Sequence, residues 1–354
     1  MNRLQHGERV SIGIIGCGHW GPNHIRAFLS LPGVSVSWAV DQSKDRCRSI
    51  AVSFRHVRVT TDVQEVLNDG GVNAVVIATP AETHCELAIR AIEAGKHVLC
   101  EKPLALSSAE CEKLIVAAAA RGVVLMVGHV FLFNTGILKL KEIIDSDGLG
   151  NLYYGSAIRT NLGPIRSDTN VSYDLASHEI SIFNFLLGST PLIVSARGQA
   201  FLKPGIEDVA FITLTYPKSI IAGITVSWLN PQKVREITLV GDKKMVVWND
   251  LALSPVAIHD KGTAQEPFYD SYGEFQLLAR EGDVTIPKIH TEEPLKRQAR
   301  FFIEAIKTGT ATLCSGKCGL AVIRTLEAIN ESMLRGGSPV AIESNRIGEG
   351  RKTL

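Results

Sequence analysis

The stretch that most restricts the fold of this sequence is residues 11–21, where a short apolar run leads directly into three glycines. These are Gly16, Gly18 and Gly21, in the spacing Gly-x-Gly-x-x-Gly, and a helical pattern follows at once. Between a strand and a helix, such glycines make a tight turn, admit a pyrophosphate close to the backbone, and let helix and strand pack. The N–H groups at the helix start attract phosphate. The stretch therefore predicts a dinucleotide-binding fold.

The second predicted strand, residues 34–41, ends on Asp41, twenty positions after Gly21. An acid at this place accepts hydrogen bonds from the adenosine ribose hydroxyls and repels a 2′-phosphate. Asp41 therefore favours NAD over NADP, although basic residues follow soon after it. The alternative is that Asp41 caps the helix predicted over residues 43–52.

Predicted strands continue to alternate with helices up to residue 128, which indicates a parallel, doubly wound sheet. Ligands of such sheets bind beyond the carboxyl ends of the strands. Two polar segments lie at those ends, residues 79–84 and 101–103. Thr79, Pro80 and His84 are candidates for lining the cofactor, and the alternative is that this segment only caps the next helix through Thr83.

After residue 128 the pattern changes to long strand-like segments, most of them between residues 193 and 249, with two short turns. We therefore predict an α/β protein in which an N-terminal Rossmann domain (1–128) precedes an α+β domain (129–354) with a large, mostly antiparallel open sheet. Residues 261–287 show no clear pattern and are not assigned. Because no further helices cover the open face, we expect a homodimer or homotetramer to form through this sheet.

The candidate catalytic residues are Lys102, which follows a parallel strand, and Asp174 and His178, which lie four apart on a predicted helix. An imidazole can accept the proton of a hydroxyl while hydride leaves the same carbon, and a carboxylate can support it. The alternative for Lys102 is an ordinary surface lysine in a turn. The alternatives for Asp174 and His178 are a surface pair on the helix, or an N-cap formed by Asp174 with His178 buried. In the loop before that helix, Asn161 and Arg166 are candidates for substrate binding, and Arg166 suits a phosphate or carboxylate; the alternative is a solvated arginine.

Composition excludes several classes of function. The net charge is +1, so no field attracts nucleic acid or an anionic membrane, and no apolar run reaches the roughly 18 residues of a membrane helix. Seven scattered cysteines indicate a reduced, cytoplasmic protein. Cys314 and Cys318 lack a second nearby pair of thiols or histidines, so no metal site is predicted.

Taken in order, these motifs resemble those of the glucose–fructose oxidoreductase, inositol dehydrogenase and MocA family, over residues 11 to about 342. The resemblance implies a nicotinamide-dependent sugar or cyclitol dehydrogenase, with Lys102 and His178 acting at the substrate carbon and Asp174 as supporting carboxylate. The predicted cofactor-binding residues are Gly16, Gly18, His19, Trp20, Gly21, Asp41, Thr79, Pro80, His84, Glu101 and Lys102. The predicted substrate-binding residues are Lys102, Asn161, Arg166, Asp174 and His178.

Within the family, residues 128–134 and 161–166 resemble the branch that oxidises nucleotide-linked sugars at C3, although Thr135 replaces a proline common there. That resemblance implies UDP-N-acetylglucosamine or its uronic acid as substrate and a 3-keto product for surface-polysaccharide synthesis. The alternatives are a dTDP-3-keto-deoxysugar reductase, a free-cyclitol or free-sugar dehydrogenase and an NAD-dependent glycosidase. An NAD-binding sensor is disfavoured because Lys102 and His178 are both present.

Overall fold

The computed structural model describes residues 9–163, 165–166, 169–263, 279–280, 282–310 and 312–342. Two compact units divide the chain. The first unit consists of Met1–Leu138 and Ile289–Ile323, and the second consists of Lys139–Lys288 and Arg324–Leu354.

The helices are α1 (Gly21–Leu29), α2 (Lys44–Ser53), α3 (Val63–Asn68), α4 (His84–Glu93), α5 (Ser108–Arg121), α6 (Thr135–Asp145), α7 (Ser177–Leu187), α8 (Pro294–Thr308) and α9 (Gly316–Leu334). The strands are β1 (Val10–Ile15), β2 (Val34–Val40), β3 (Arg58–Thr60), β4 (Ala74–Ile77), β5 (His97–Glu101), β6 (Leu125–Gly128), β7 (Leu152–Leu162), β8 (Ile193–Gln199), β9 (Val209–Thr215), β10 (Ile221–Ser227), β11 (Leu229–Gly241), β12 (Met245–Asn249), β13 (Val256–His259), β14 (Gly262–Thr263), β15 (Ala279–Arg280), β16 (Val284–Thr285) and β17 (Val340–Ala341).

The first unit contains a six-stranded parallel sheet in the order β3-β2-β1-β4-β5-β6. This order confirms the predicted doubly wound Rossmann sheet. β4 is buried along its whole length, as expected for a strand with helices on both faces. The carboxyl ends of the strands meet at one edge, so the segments after β1, β2, β4, β5 and β6 lie along the same border of the sheet.

The segment 289–323 belongs to the first unit, whereas the sequence analysis placed it in the second domain. The physical reason is the packing of α8, since Phe302 meets Phe28 of α1 edge-on with ring centroids 6.3 Å apart. Arg26 and Glu293 add an ion pair at 2.5 Å. A single boundary after residue 128 therefore does not describe the chain, because a late segment returns to the first sheet.

The second unit contains a nine-stranded sheet in the order β16-β13-β12-β11-β7-β10-β9-β8-β17. β7 and β10 are parallel, and the other pairings described for this sheet are antiparallel, which confirms a mostly antiparallel sheet. α7 packs closely on one face, because a Cβ at Gly155 would lie 2.7 Å from the ring of Phe183. On the other face, Tyr154, Ile158 and Phe211 are exposed.

Two regions differ from the pattern read in the sequence. The helix expected from residue 174 begins instead as a π-helical turn, Ser172–Ala176, which leads into α7. The unassigned region 261–287 contains β14, β15 and β16, while residues 264–278 and 281 lie outside the described residues. In the described part of the chain, no helix combines the length and apolar character needed to cross a membrane.

Candidate active site

The glycine loop between β1 and α1 has the backbone geometry that the sequence predicts. Gly16 has a φ of +98°, and a Cβ there would lie 2.5 Å from the carbonyl oxygen of Ala78. A Cβ at Gly21 would collide with the carbonyl of Gly16, whereas Gly18 faces open space within 4 Å. Gly16 and Gly21 therefore permit the tight turn and the close packing, and Gly18 leaves room for a phosphate against the backbone. This cradle fits the pyrophosphate of a dinucleotide.

Asp41 follows β2 and ties the glycine loop to the next turn. Its Oδ2 accepts the N–H of Cys17 and its Oδ1 accepts the N–H of Ser43, both at 2.8 Å. The side chain of Ser43 caps α2 by accepting the N–H of Arg46, so the N-cap alternative for Asp41 is wrong. The carboxylate keeps further lone pairs for ribose hydroxyls, and the Arg46 guanidinium lies 3.5 Å from it.

The two bulky residues of the glycine loop lie side by side. The rings of His19 and Trp20 meet edge-on with centroids 5.5 Å apart, and Trp20 is 42% exposed. The indole of Trp20 also lies 6.5 Å from the ring of His24, the fourth residue of α1. Contact of His19 and Trp20 with the cofactor stays a prediction.

The segment after β4 is organised by His84, which is buried in the first unit. Its Nδ1 lies 2.7 Å from the carbonyl of Pro103 and its Nε2 lies 2.9 Å from the carbonyl of Thr79. Thr83 makes no side-chain cap for α4, and its hydroxyl instead bonds Thr79 Oγ1 and the carbonyl of Pro80. His84 thus joins the loops after β4 and β5, and we propose that it positions Thr79 and Pro80 for the cofactor.

Glu101, the last residue of β5, holds the backbone at Lys102. One carboxylate oxygen accepts a hydrogen bond from His24 Nε2 at 2.8 Å, and the other accepts the N–H of Lys102 at 3.2 Å. The carboxylate lies against Gly128, where a Cβ would come within 2.9 Å of it. Burial by itself raises the pKa of Glu101, but His24, the Lys102 N–H and the Lys102 charge together lower it below its ordinary value.

His129, directly after β6, is the second buried histidine near Lys102. Burial, and next the charge of Lys102, lower the pKa of His129 to about 4. Neither ring nitrogen has a hydrogen-bond partner among the described residues of the chain. At neutral pH the ring is therefore uncharged. Nothing in the sequence pointed to His24, and His129 was noted only as part of residues 128–134, the segment that resembles one branch of the family, without a role of its own.

In the second unit, Asp174 lies in the π-helical turn and is held by its side chain. The indole N–H of Trp228 donates to Asp174 Oδ2 at 3.1 Å, and the guanidinium of Arg166 lies 3.6 Å from Oδ1. Trp228 is almost completely buried, and nothing in the sequence around it indicated this role. Asp174 is inside the turn and makes no cap, so the N-cap alternative for it is wrong.

His178 is the second residue of α7, one turn after Asp174, and Ser181 donates to its carbonyl at 2.7 Å. Asn170 anchors the π-helical turn, since its amide donates to Glu207 at 3.0 Å and its Oδ1 accepts the N–H of Tyr173 at 3.2 Å. π-helical turns occur frequently at functional sites because they reorient the side chains of a helix.

The structure thus forms two local clusters from the predicted residues. Glu101 and Lys102 lie together in the first unit, and Arg166 and Asp174 lie together in the second unit with His178 on the following turn. Asn161, at the end of β7, folds its amide over Gly163, so its contact with substrate stays a prediction.

Comparisons with known proteins identify the family and the fold. The model of an oxidoreductase family with an NAD-binding Rossmann fold matches residues 10–129, and the GFO/IDH/MocA C-terminal domain model matches residues 137–247. An inositol 2-dehydrogenase of Saccharopolyspora erythraea is 31% identical over 224 residues, 61% of this chain and 66% of that protein.

Among solved structures, GenD2 from gentamicin A biosynthesis, in complex with NAD, has a TM-score of 0.80 at 25% identity, covering 97% of this chain and 99% of that one. UDP-N-acetylglucosamine 3-dehydrogenase GnnA from Acidithiobacillus ferrooxidans has a TM-score of 0.78 at 24% identity, covering 92% and 97%. At these identities, the GnnA match supports a common fold.

Proposed function

Because the chain belongs to the GFO/IDH/MocA oxidoreductase family and has its NAD-binding Rossmann domain, we propose that it oxidises a nucleotide-linked sugar at the C3 hydroxyl. The substrate class is UDP-N-acetylglucosamine or the corresponding uronic acid, and the product is a 3-keto sugar. Such a product suits a following transamination in the synthesis of surface polysaccharides.

The observation that carries the substrate class is the guanidinium of Arg166 beside Asp174. This side chain is 41% exposed and lies 3.6 Å from the carboxylate of Asp174. An exposed guanidinium binds phosphate or carboxylate oxygens through a planar fork of donors. A nucleotide sugar carries a diphosphate and a uronic acid adds a carboxylate, whereas a free cyclitol carries no charge. The likeness to GnnA supports the same class by analogy.

In the proposed chemistry, C3 loses a hydride and its hydroxyl group loses a proton, each to a different acceptor. NAD, when bound, supplies the nicotinamide ring that accepts the hydride from C3. His178 accepts the proton of the C3 hydroxyl, and Asp174, oriented by the Trp228 indole, stabilises the resulting imidazolium. Lys102 donates a hydrogen bond to the reacting oxygen, which gains carbonyl character as the hydride leaves.

The first unit provides the proposed contacts to the cofactor. The backbone around Gly16, Gly18 and Gly21 binds the pyrophosphate, and the carboxylate of Asp41 accepts hydrogen bonds from the adenosine ribose. A 2′-phosphate at that ribose would meet the negative charge of Asp41, which supports a preference for NAD over NADP.

Subunit association is a further part of the proposal. The face of the second sheet opposite α7 exposes Tyr154, Ile158, Ile193, Phe211 and Ile221. An apolar sheet face of this kind is stabilised when it is covered by a second subunit, which supports a homodimer or homotetramer. We propose a cytoplasmic location because all seven cysteines are free thiols.

A second candidate is a dehydrogenase of free cyclitols. The observation that favours it is the 31% identity to an inositol 2-dehydrogenase over 61% of this chain. In that case Lys102, Asp174 and His178 keep the same roles, and Arg166 binds neutral hydroxyls only.

The test is a product analysis with defined substrates. Purified protein is incubated with NAD and, separately, UDP-N-acetylglucosamine, its uronic acid, a dTDP-sugar and myo-inositol. Reduced nicotinamide is followed by absorbance and the sugar by mass spectrometry. We expect a product two hydrogens lighter from a UDP-sugar, and none from the same sugar lacking UDP. Turnover of myo-inositol alone would favour the second candidate, and turnover of none would contradict the proposal.

A further inference from the structure

We propose that Arg159 is a positioning residue, which fixes the direction of the His178 side chain through a buried ion pair with Glu179. This inference rests on the proposed function for its catalytic meaning, since His178 is the proposed acceptor of the hydroxyl proton. All of the contacts that carry it lie within the second unit.

The ion pair joins β7, the middle strand of the nine-stranded sheet, to the first turn of α7. Arg159 lies on β7, and its Nε donates to Oε1 of Glu179 at 2.5 Å. Both side chains are almost completely buried, with exposed fractions of 3% and 2%. Glu179 is the third residue of α7 and directly follows His178. The pair therefore ties the start of this helix to the middle of the sheet.

A second contact holds the same face of the helix one turn later. Glu179 and Phe183 are four residues apart, so their side chains lie on one face of α7. The ring of Phe183 packs on β7 at Gly155, where a Cβ would lie 2.7 Å from it. Gly155 and Arg159 both belong to the buried face of β7. Because two contacts hold one face of the helix against one strand, α7 is restrained from rotating about its axis.

This restraint determines where the side chain of His178 points. Neighbouring residues of an α-helix are separated by about 100° around the helix axis. Because Glu179 faces the sheet, His178 is held to one side of that face, where it is only partly buried. The N-cap residue of α7 is Ala176, which makes no side-chain cap. The first turn of α7 therefore depends on the ion pair, and not on a cap, for its position.

A gain in stability is a weak reason for a buried pair of this kind. Burial raises the pKa of Glu179 above its ordinary value, and the charge of Arg159 and its hydrogen bond oppose that rise. No side chain of the described residues bonds the other carboxylate oxygen of Glu179. Buried ion pairs are often no more stabilising than apolar residues of similar volume, because both charges must leave water. Apolar contacts have no preferred direction, however, so only the charged pair fixes an orientation.

The decisive variant replaces the whole pair by apolar residues, Arg159→Met together with Glu179→Leu. Each single substitution leaves one charge buried without the other, so we expect its thermal midpoint to fall by about 6 to 15 °C. The double variant removes both charges, and its midpoint should return to within about 3 °C of the wild type. Hydrogen–deuterium exchange of residues 174–181, measured by mass spectrometry, should nevertheless be about tenfold faster than in the wild type, because the helix start is no longer held.

The matched control is Tyr216→Phe, which loses the hydrogen bond to Asn184 in the second half of α7. This variant also removes a buried polar contact of the helix, but it should leave the exchange of residues 174–181 at the wild-type rate. Wild-type exchange in a stable double variant would overturn the inference. A double variant as unstable as the single ones would overturn it as well, because the pair would then serve stability.

Steady-state kinetics separate this inference from the proposed function. With a substrate that the wild type oxidises, the double variant should lose about tenfold in kcat and change KM by less than about twofold, because His178 no longer meets the hydroxyl in one direction. If the wild type oxidises none of the sugars, the proposed function fails, while the exchange of residues 174–181 still decides whether the pair holds the helix start. Wild-type kcat in the double variant would contradict the catalytic meaning of the pair.

Discussion

The two units hold their proposed reacting residues by different physical means. In the first unit, Lys102 follows a parallel strand, and a buried carboxylate binds its backbone N–H. In the second unit, His178 follows a π-helical turn, and the nearby carboxylate of Asp174 is held by the indole of Trp228. The first arrangement depends on backbone position, and the second depends on contacts between side chains far apart in sequence. Substitutions in the two units should therefore fail in different ways.

This difference explains why the residues of the first cluster were easier to predict from the sequence than those that support the second. Strand ends, glycines and short motifs define backbone positions, and each of them is local in the sequence. Trp228 lies 54 residues from Asp174, so no local pattern relates them. The residues that support Asp174 can therefore be identified only from the folded structure.

The largest expected effect is that of His178→Ala. This variant tests whether the second unit contributes to proton transfer and not to NAD binding. We expect kcat to fall by about 10²- to 10⁴-fold, because a positioned general base contributes this much. The affinity for NAD should change by less than twofold, since the glycine loop and Asp41 belong to the first unit. Steady-state kinetics and fluorescence titration with NAD provide the two measurements.

The matched control is Asn184→Ala, further along α7, which loses the hydrogen bond from Tyr216. Its kcat should match the wild type. Equal losses of kcat and NAD affinity in His178→Ala would break the separation of roles between the units.

The next effect is that of Trp228→Phe, which tests the support of Asp174. Removing the indole N–H leaves the ring volume largely in place but releases Asp174 Oδ2. We expect kcat to fall by about 10- to 30-fold, with a changed pH profile, because Asp174 loses the contact that fixes its orientation for its proposed role beside the imidazolium. Trp248→Phe, at a second fully buried tryptophan of this unit, should cost stability and leave kcat unchanged. A normal pH profile in Trp228→Phe would show that Asp174 needs no such support.

A smaller effect is expected from Asp41→Asn, which tests the first unit alone. The amide loses the charge that binds the N–H groups of Cys17 and Ser43 and that we propose for the adenosine ribose. We expect the Kd for NAD to rise by about tenfold and kcat at saturating NAD to stay within twofold, as for a loss of uniform binding. Calorimetric titration with NAD and NADP measures both affinities, and the ratio should move toward NADP. Asp45→Asn, exposed on α2, is the control, and an unchanged Kd would remove Asp41 from the cofactor site.

The smallest effect on activity is expected at Asp69, which stabilises the first unit at a distance from Lys102. Hydrogen bonds from Trp38, Gly71 and Arg58 lower the pKa of Asp69 to about 2. A lowered folded-state pKa contributes stability above the unfolded value of about 4, and this contribution is lost as pH falls toward 2. Urea unfolding should find Asp69→Asn less stable than the wild type at pH 6, with the difference shrinking at pH 3. Its kcat should change by less than twofold. A larger change would show that Asp69 and its hydrogen-bond partners influence the proposed catalytic residues.

Much of the fold could be predicted from the sequence because its signals are local. The glycine spacing, the alternation of strands and helices, and the long segments after residue 193 predict both sheets correctly. The role of segment 289–323 could not be predicted, since tertiary contacts such as the packing of Phe302 on Phe28 and the Arg26–Glu293 ion pair show where α8 belongs. The π-helical turn before α7 was missed because its residues have the periodicity of an ordinary helix start.

By itself, the sequence determined the class of the protein: a Rossmann unit with a dinucleotide cradle, a second α+β unit, and the motifs that contain Lys102, Asp174 and His178. These features are carried by residues whose spacing along the chain is itself the constraint. The tertiary structure alone decided that His24 holds Glu101, that Trp228 holds Asp174, and that His84 joins two loops. Those contacts join residues that become neighbours only when separate strands and helices pack, so no local pattern in the sequence predicts them.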